Sequence, residues 1–275
     1  RDERPTPTSS QDELLAELDQ VVDGLLDEDV AAIGFGIPST IDQRTGRAIS
    51  SVRVPLVDID FRDRMAQRYH VPVAIDNDGN AAAIAEWQLG AGRGVSDLVA
   101  LTLGTGIGGG LILDGRPYRG SIGAGAELGH IVLDYGGEPC GGGCTGRGHF
   151  EAFAAGSAAD VAAVRRFGVG SSGKTLVEAA LAGDEGAQED LARLGRHLGA
   201  GIASLVNIFN PEVVVIGGSF AAAGNLILDS ARETLAREGL APMRDLVRLE
   251  WAQLGREAGM IGAALVGFEA LDADG

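Results

Sequence analysis

Two histidines and two cysteines fall in a window that glutamates open and close, Glu127–Glu151. It reads Glu127-Leu-Gly-His130, then a glycine-studded loop with Cys140 and Cys144, then His149-Phe-Glu151. These are all the cysteines of the chain and half of its four histidines. Thiolate and imidazole suit zinc, and four such groups satisfy a tetrahedral structural site. Glycines around the cysteines let the backbone fold tightly about an ion, where positive φ is often needed. The carboxylates Glu127 and Glu151 bracket the cluster and exceed what zinc needs. Each can accept from two hydroxyls, which suits them to a bound polyol. A disulfide between the two cysteines is the alternative, and it is the minor one for a large protein of a reducing compartment.

Three further stretches carry chemistry. Asp78 stands where the apolar run Val71–Ile75 gives way to the alanine-rich run Ala81–Leu89, a junction that exposes a carboxylate in a cleft. A helix N-cap explains one polar residue of Asp76-Asn-Asp-Gly-Asn80, not five, so Asp78 is a candidate for catalysis. Leu103-Gly-Thr-Gly-Ile-Gly-Gly-Gly110 joins two strands. Glycine-bared N–H groups at Gly104 and Gly106, with the Thr105 hydroxyl, can cradle a phosphate, and an ordinary glycine-rich hairpin is the competing reading. Val213-Val-Val-Ile-Gly-Gly-Ser219 is a strand entering a helix through Gly217 and Gly218, a geometry that suits a nucleotide packed against backbone. Gly168–Thr175 matches the Gly-x4-Gly-Lys-Thr pattern of a P-loop. A working P-loop follows a buried strand, whereas Ala158–Phe167 reads as a helix, so a polar loop between two helices is expected.

The elements that must position these residues alternate between periods. Ser10-Gln-Asp-Glu13 is a capping box opening an amphipathic helix to about Asp27. Val30–Phe35 is a buried strand feeding Gly36-Ile-Pro38, Asp60–Tyr69 is helical with Asp60 as N-cap, and Val71–Ile75 is a second buried strand. Leu98–Leu103 and Gly108–Leu113 form an antiparallel pair, with Asp114-Gly115 as a two-residue hairpin signal. Helices are expected over Ala158–Phe167, Leu176–Leu181, Gly186–Phe209, Asn225–Glu238 and Gly259–Leu271, and strands over Val213–Ile216 and Val247–Trp251. Strands alternating with helices give an α/β class with mixed sheets. The 43 glycines cluster after or within apolar runs, at Gly34–Gly36 among others, as in loops that approach ligands.

Composition excludes whole classes of partner. At 275 residues and 45% hydrophobic, the chain supports one large or two ordinary domains. A net charge of −17 argues against nucleic acid and against anionic membranes, both of which are bound through Lys and Arg clusters. No apolar run approaches the ~20 residues that span a bilayer and no signal peptide opens the chain, so a cytoplasmic location is expected.

Together these stretches resemble the ROK family of repressors and sugar kinases, from Ile33 to about Leu265. Asn77-Asp78 with Asn80-Ala-Ala-Ala resembles the family segment whose aspartate is the catalytic base. Leu103-Gly-Thr-Gly106 resembles its second phosphate loop, Ile216-Gly-Gly218 its adenosine segment, and Glu127-Leu-Gly-His130 with His149-Phe-Glu151 its sugar and zinc signatures. The resemblance is closest to bacterial ROK glucokinases. It implies a two-lobed actin-like ATPase (ribonuclease H-like) fold with mixed sheets and a cleft between lobes, here 1–80 plus a closing helix 259–275, and 81–258. It implies transfer of phosphoryl from ATP to the 6-hydroxyl of glucose, with Asp78 as base. Asn77, Glu127, His130, Glu151 and Gly36 would contact the sugar; Gly104, Thr105, Gly106, Gly217 and Gly218 would contact the nucleotide. His130, Cys140, Cys144 and His149 would hold a structural Zn²⁺, with Mg²⁺ on the triphosphate. A homodimer is implied as well. Other hexoses, polyphosphate as donor and a non-catalytic sugar-responsive regulator are the rival readings.

Three departures from the family pattern stand out. The family loop is Cys-x-Cys with a third cysteine five residues on, whereas Cys140 and Cys144 are spaced wider and His149 takes the third cysteine's place. Gly79 stands where alanine is typical. The family opens with an Asp-x-Gly-Gly-Thr phosphate loop, and none precedes the first helix here. Either about 30 residues of such a strand unit are trimmed from the chain, or ATP is bound in another way.

Overall fold

The computed structural model describes residues 2–51 and 53–273. The chain divides into two compact units, one of Arg1–Ala85, Arg119–Ala126 and Glu257–Gly275, the other of Glu86–Tyr118 and Glu127–Arg256.

The first unit starts with α1 (Gln11–Leu25), where the Ser10 side chain accepts from the Glu13 N–H and caps the helix, while the Glu13 carboxylate takes the Ser9 hydroxyl instead of closing the expected box. There follow β1 (Ile33–Ile37), β2 (Thr40–Asp42), β3 (Arg47–Ser50), α2 (Phe61–Tyr69), β4 (Val73–Asn77) and α3 (Asp78–Leu89), the last of which runs on into the second unit. β1 and β4 pair in parallel from Ile33 opposite Val73 to Ile37 opposite Asn77, while β2 and β3 form a small antiparallel pair. The core gathers Phe35, Ile37, Ile41, Phe61, Met65 and Ile75 with Leu14 and Leu15 of α1, and the Phe35 and Phe61 rings meet edge to face at 5.2 Å. Asp60 does precede α2, but its carboxylate makes no cap. Arg47 holds it instead, because a guanidinium offers a stronger partner than a neutral N–H.

The second unit is a five-stranded sheet with helices. Its elements are β5 (Leu98–Leu103), β6 (Ile107–Leu113), β7 (Arg116–Pro117), α4 (Phe150–Ala154), α5 (Gly156–Phe167), α6 (Gly173–Leu181), α7 (Glu185–Phe209), β8 (Val213–Gly217), α8 (Asn225–Glu238), α9 (Met243–Leu246) and β9 (Arg248–Trp251). Strand order is β7-β6-β5-β8-β9, antiparallel across β7, β6 and β5 and parallel across β5, β8 and β9. Asp114 and Gly115 both have positive φ, as a tight primed turn requires. β8 is buried along its whole length and β5 nearly so, which is why both read as unbroken apolar runs. Gly195 and Gly199 of α7 face α8, where a Cβ would strike the carbonyls of Ile227 and Ala231, so glycine sets how closely these helices approach. Buried Glu86, in the last turns of α3, accepts from the N–H groups of Ala91, Gln253 and Leu254 and ties the helix to the stretch after β9.

The chain then returns to the first unit as α10 (Ala258–Ala273), which packs on β1 and β4. Residues 274–275 of the expected closing helix lie outside the described residues. No helix among the described residues is long and apolar enough to cross a membrane.

Candidate active site

In the first unit, the candidate base sits at the junction of β4 and α3. β4 ends with Asn77 and α3 begins with Asp78 itself, earlier than the alanine run suggests. Asn77 performs the capping: its Oδ1 accepts from the Gly79 N–H at 2.8 Å and the Asn80 N–H at 3.4 Å. Its Nδ2 donates to the Ser39 carbonyl at 3.4 Å. Asp78 Oδ1 shares only the Gly79 N–H, at 3.0 Å, and the residue stays exposed. Protein atoms nevertheless crowd its carboxylate, and that loss of water raises its pKa above the ordinary aspartate range. The Gly79 N–H and the Arg53 charge pull the other way and do not win. An open carboxylate with a raised pKa is the profile of a proton acceptor.

Asp76, which the sequence offers only as part of a polar run, is fully buried. Its Oδ1 accepts from the Asn77 N–H at 2.8 Å and from Asn80 Nδ2 at 2.9 Å. Its Oδ2 meets Arg119 Nε at 2.6 Å. No spacing in the sequence points to Arg119, since 43 residues separate the partners. Gly36 has a packing reason to be glycine: a Cβ there would lie 3.1 Å from the Ala81 Cβ and 3.7 Å from that of Ala263.

In the second unit, the structure brings the four expected metal ligands together. One donor atom from each of His130, Cys140, Cys144 and His149 lies within 4.8 Å of the others. Zn–S and Zn–N bonds in a tetrahedral site place neighbouring S and N ligands about 3.6 Å apart. Here Cys140 Sγ lies 3.7 Å from His130 Nδ1, and Cys144 Sγ lies 3.6 Å from His149 Nδ1. The two Nδ1 atoms are 3.1 Å apart. The donor set fits zinc in number, softness and spacing. Backbone geometry builds it: Cys140 N–H bonds to the Gly146 carbonyl, and Gly142 and Gly143 both take positive φ between the cysteines. Gly148 leaves no room for a Cβ against the Asp134 carbonyl. Burial, with Glu151 and Cys144 close by, pushes the Cys140 thiol up. A cation among these groups would reverse that, since a metal-bound thiol is deprotonated.

Glu151, on α4, is mostly buried, and both of its oxygens have protein donors. Oε1 takes the Cys140 thiol at 2.9 Å and Oε2 the Ile107 N–H at 3.1 Å. Glu127 is exposed, with Oε2 4.0 Å from His130 Nε2. His130 thus turns Nδ1 to the metal cluster and Nε2 towards Glu127.

The two glycine stretches assigned to nucleotide emerge at the same end of the sheet. Thr102 pairs with Gly217, so Leu103–Gly106 and Gly217–Gly218 lie side by side at the carboxyl ends of parallel strands, a usual position for ligand sites. Gly218 has φ +95° and leaves no space for a side chain against the Leu103 backbone. Thr105 is exposed at the tip of the β5–β6 turn, which is held from behind by the Gly156 and Ser157 N–H groups bonded to the Gly104 and Thr105 carbonyls. Of Gly168–Thr175, the stretch up to Ser172 connects α5 and α6 as expected, and Gly173-Lys-Thr175 forms the first turn of α6. The Asp160 carboxylate already accepts from the Gly173 N–H at 2.7 Å, and Lys174 points to solvent beside Glu178. A phosphate would meet that carboxylate, so the stretch is no P-loop.

The sequence profile of the ROK family matches residues 1–268. Among solved structures, a ROK family glucokinase from Streptomyces griseus, in complex with glucose and AMPPNP, superposes with a TM-score of 0.84. It is 32% identical, over 96% of this chain and 90% of that one. The ROK hexokinase from Thermus thermophilus gives a TM-score of 0.83 at 35% identity, over 99% and 91% of the two chains. A xylose repressor from Caldicellulosiruptor bescii is 28% identical over 85% of this chain and 61% of the repressor. The fold is thus the actin-like ATPase fold of ROK sugar kinases, built here with mixed sheets. The chain belongs to the ROK family.

Proposed function

We propose that this protein is a glucokinase, transferring the γ-phosphoryl group of ATP to the 6-hydroxyl of glucose. The observation that carries the reading is the division of labour at the β4–α3 junction. Asn77 caps the helix, and Asp78 is left exposed with a raised pKa. The similarity to a glucokinase holding glucose and AMPPNP supports it.

In this reading Asp78 accepts the proton of the 6-hydroxyl as its oxygen bonds to the γ-phosphorus. The bond from that phosphorus to the β,γ-bridging oxygen breaks, and ADP leaves. Such a reaction asks for positioning and charge neutralisation more than for covalent chemistry. Glu127, His130 and Glu151 hold the remaining hydroxyls, with Asn77 beside the base and the Gly36 backbone near the sugar. Zinc at the His130, Cys140, Cys144 and His149 donors would brace the loop. With Nδ1 facing that site, His130 Nε2 carries its proton and serves as a hydrogen-bond donor to the sugar. Gly104, Thr105 and Gly106 receive the phosphates, Gly217 and Gly218 the adenosine, and Mg²⁺ would neutralise charge on the triphosphate. The two compact units are taken as the two lobes of the kinase, and the active form as a homodimer, which light scattering tests.

A panel of hexoses and amino sugars, with ATP or polyphosphate as donor, tests the assignment. Turnover of another hexose with none of glucose overturns the glucose assignment, and turnover with polyphosphate alone overturns ATP. The xylose repressor relative keeps a second reading in view, a sugar-responsive regulator. Glucose binding without turnover under any donor would favour that one.

A further inference from the structure

We propose that Arg119 is a positioning residue for Asp78, acting through the buried carboxylate of Asp76. The inference rests on the kinase reading and adds to it a residue outside the sugar, metal and nucleotide sets.

Asp76 is completely buried, and nothing in the proposed chemistry uses it directly. It anchors the residues on both sides of Asp78: the Asn77 N–H before it and the Asn80 side chain after it bond to the same Oδ1. The turn that carries Asp78 therefore hangs from one carboxylate. That carboxylate is in turn fixed by Arg119 Nε on Oδ2 at 2.6 Å. Arg119 has little freedom of its own, because its Nη2 lies 2.9 Å and 2.8 Å from the two oxygens of Glu269 on α10. A planar guanidinium bridging two carboxylates gives direction as well as charge, which an ammonium cannot match.

The backbone around Arg119 is held too. The Arg119 carbonyl accepts from the Gly125 N–H, and the Ile122 carbonyl accepts from the Gln43 N–H. Gln43 Nε2 donates to the Ile75 carbonyl, one residue before Asp76. The segment Arg119–Ala126 is thus tied to β4 directly at Asp76 and through Gln43 at Ile75. A charged network centred on a buried aspartate beside the candidate base suits pre-organisation, since a 1 Å misplacement of a reacting group can cost on the order of 10²-fold in rate.

The test uses the whole protein carrying Arg119→Met, Arg119→Lys or Glu269→Gln. It measures kcat for the hexose the wild type turns over and hexose Kd by calorimetry, well below each variant's melting temperature. Arg119→Met is expected to lose about 10- to 100-fold in kcat with hexose Kd within about threefold of wild type. Arg119→Lys, which restores the charge without the fork, is expected to recover part of that loss and to stay below wild type. Glu269→Gln loosens Arg119 from its exposed side without stranding a buried charge. It is expected to lose several-fold in kcat, and it decides the matter if Arg119→Met does not fold.

A kcat per folded molecule that stays at the wild-type value in the folded variants overturns the inference and makes the network merely structural. Parallel loss of kcat and hexose affinity, without rescue by lysine, overturns it as well. A wild type that phosphorylates no hexose overturns the kinase reading first and this inference with it. An active wild type with indifferent variants overturns only the inference.

Discussion

Glu151 Oε2 accepts a hydrogen bond from the Ile107 backbone N–H at 3.1 Å. Ile107 directly follows Gly106, the last residue of the β5–β6 turn, while the other oxygen of Glu151 faces the Cys140 thiol. One carboxylate therefore connects the cysteine loop to the turn assigned to phosphate. Disturbance of the loop should reach both.

Metal analysis of the purified protein is expected to find about one zinc per chain, given the four-donor set. Cys144→Ser and His149→Ala should lose most of it, while His149→Cys, another zinc ligand, should keep it. Chelation should lower the melting temperature by several degrees and weaken hexose binding at least about tenfold. A metal-free protein with unchanged melting and binding would contradict the site.

Asp78→Asn should lower kcat by about 10²- to 10⁴-fold while glucose still binds, as the loss of a general base predicts. The wild-type rate should fall as pH drops through a pKa above the ordinary aspartate value near 3.9. Stability should move the opposite way. A folded-state pKa above the unfolded one gives stability that is full below the unfolded pKa and lost as pH rises through the folded pKa. The Asp78→Asn variant carries no charge to lose there, so it should melt above wild type at pH 7, with the difference closing at acid pH. Calorimetric scans across pH check the sign.

Lys174→Ala should leave the KM for ATP within about twofold, because Lys174 is exposed and the neighbouring helix terminus is already occupied by Asp160. A tenfold rise in that KM would restore the P-loop reading.

Gly262→Ala and Gly259→Ala make a paired test of α10. A methyl at Gly262 would collide with the Ala81 backbone, whereas one at Gly259 meets nothing within 4 Å. Denaturant unfolding should show Gly262→Ala less stable by about 1–3 kcal/mol. Gly259→Ala should be neutral or more stable by up to ~1 kcal/mol, because alanine is the better helix former.

Elements with strong local signals are legible in the sequence. α8 spans Asn225–Glu238 as read, and β5 spans Leu98–Leu103, because apolar period and turn residues mark their ends. The cluster of two histidines and two cysteines is legible because these residues are rare and their chemistry is narrow. What escapes depends on contacts between distant residues. The pair β2 and β3 is short and partly polar, so no period announces it. Asn77 and Asp78 are neighbours of similar size, and only coordinates show which one caps. No local pattern marks Arg119 because its partner is far away in the chain, and the grouping of Arg119–Ala126 with the first unit escapes for the same reason.

The polypeptide passes from one unit to the other at 85/86, 118/119, 126/127 and 256/257. Neither unit is therefore encoded by an uninterrupted stretch, and no single cut can liberate either intact. During synthesis β1 and β4 must wait for α10, which leaves the ribosome after every strand has been made. Premature termination anywhere before residue 258 would leave the scaffold beneath the β4–α3 junction without its covering helix, whatever the state of the metal loop.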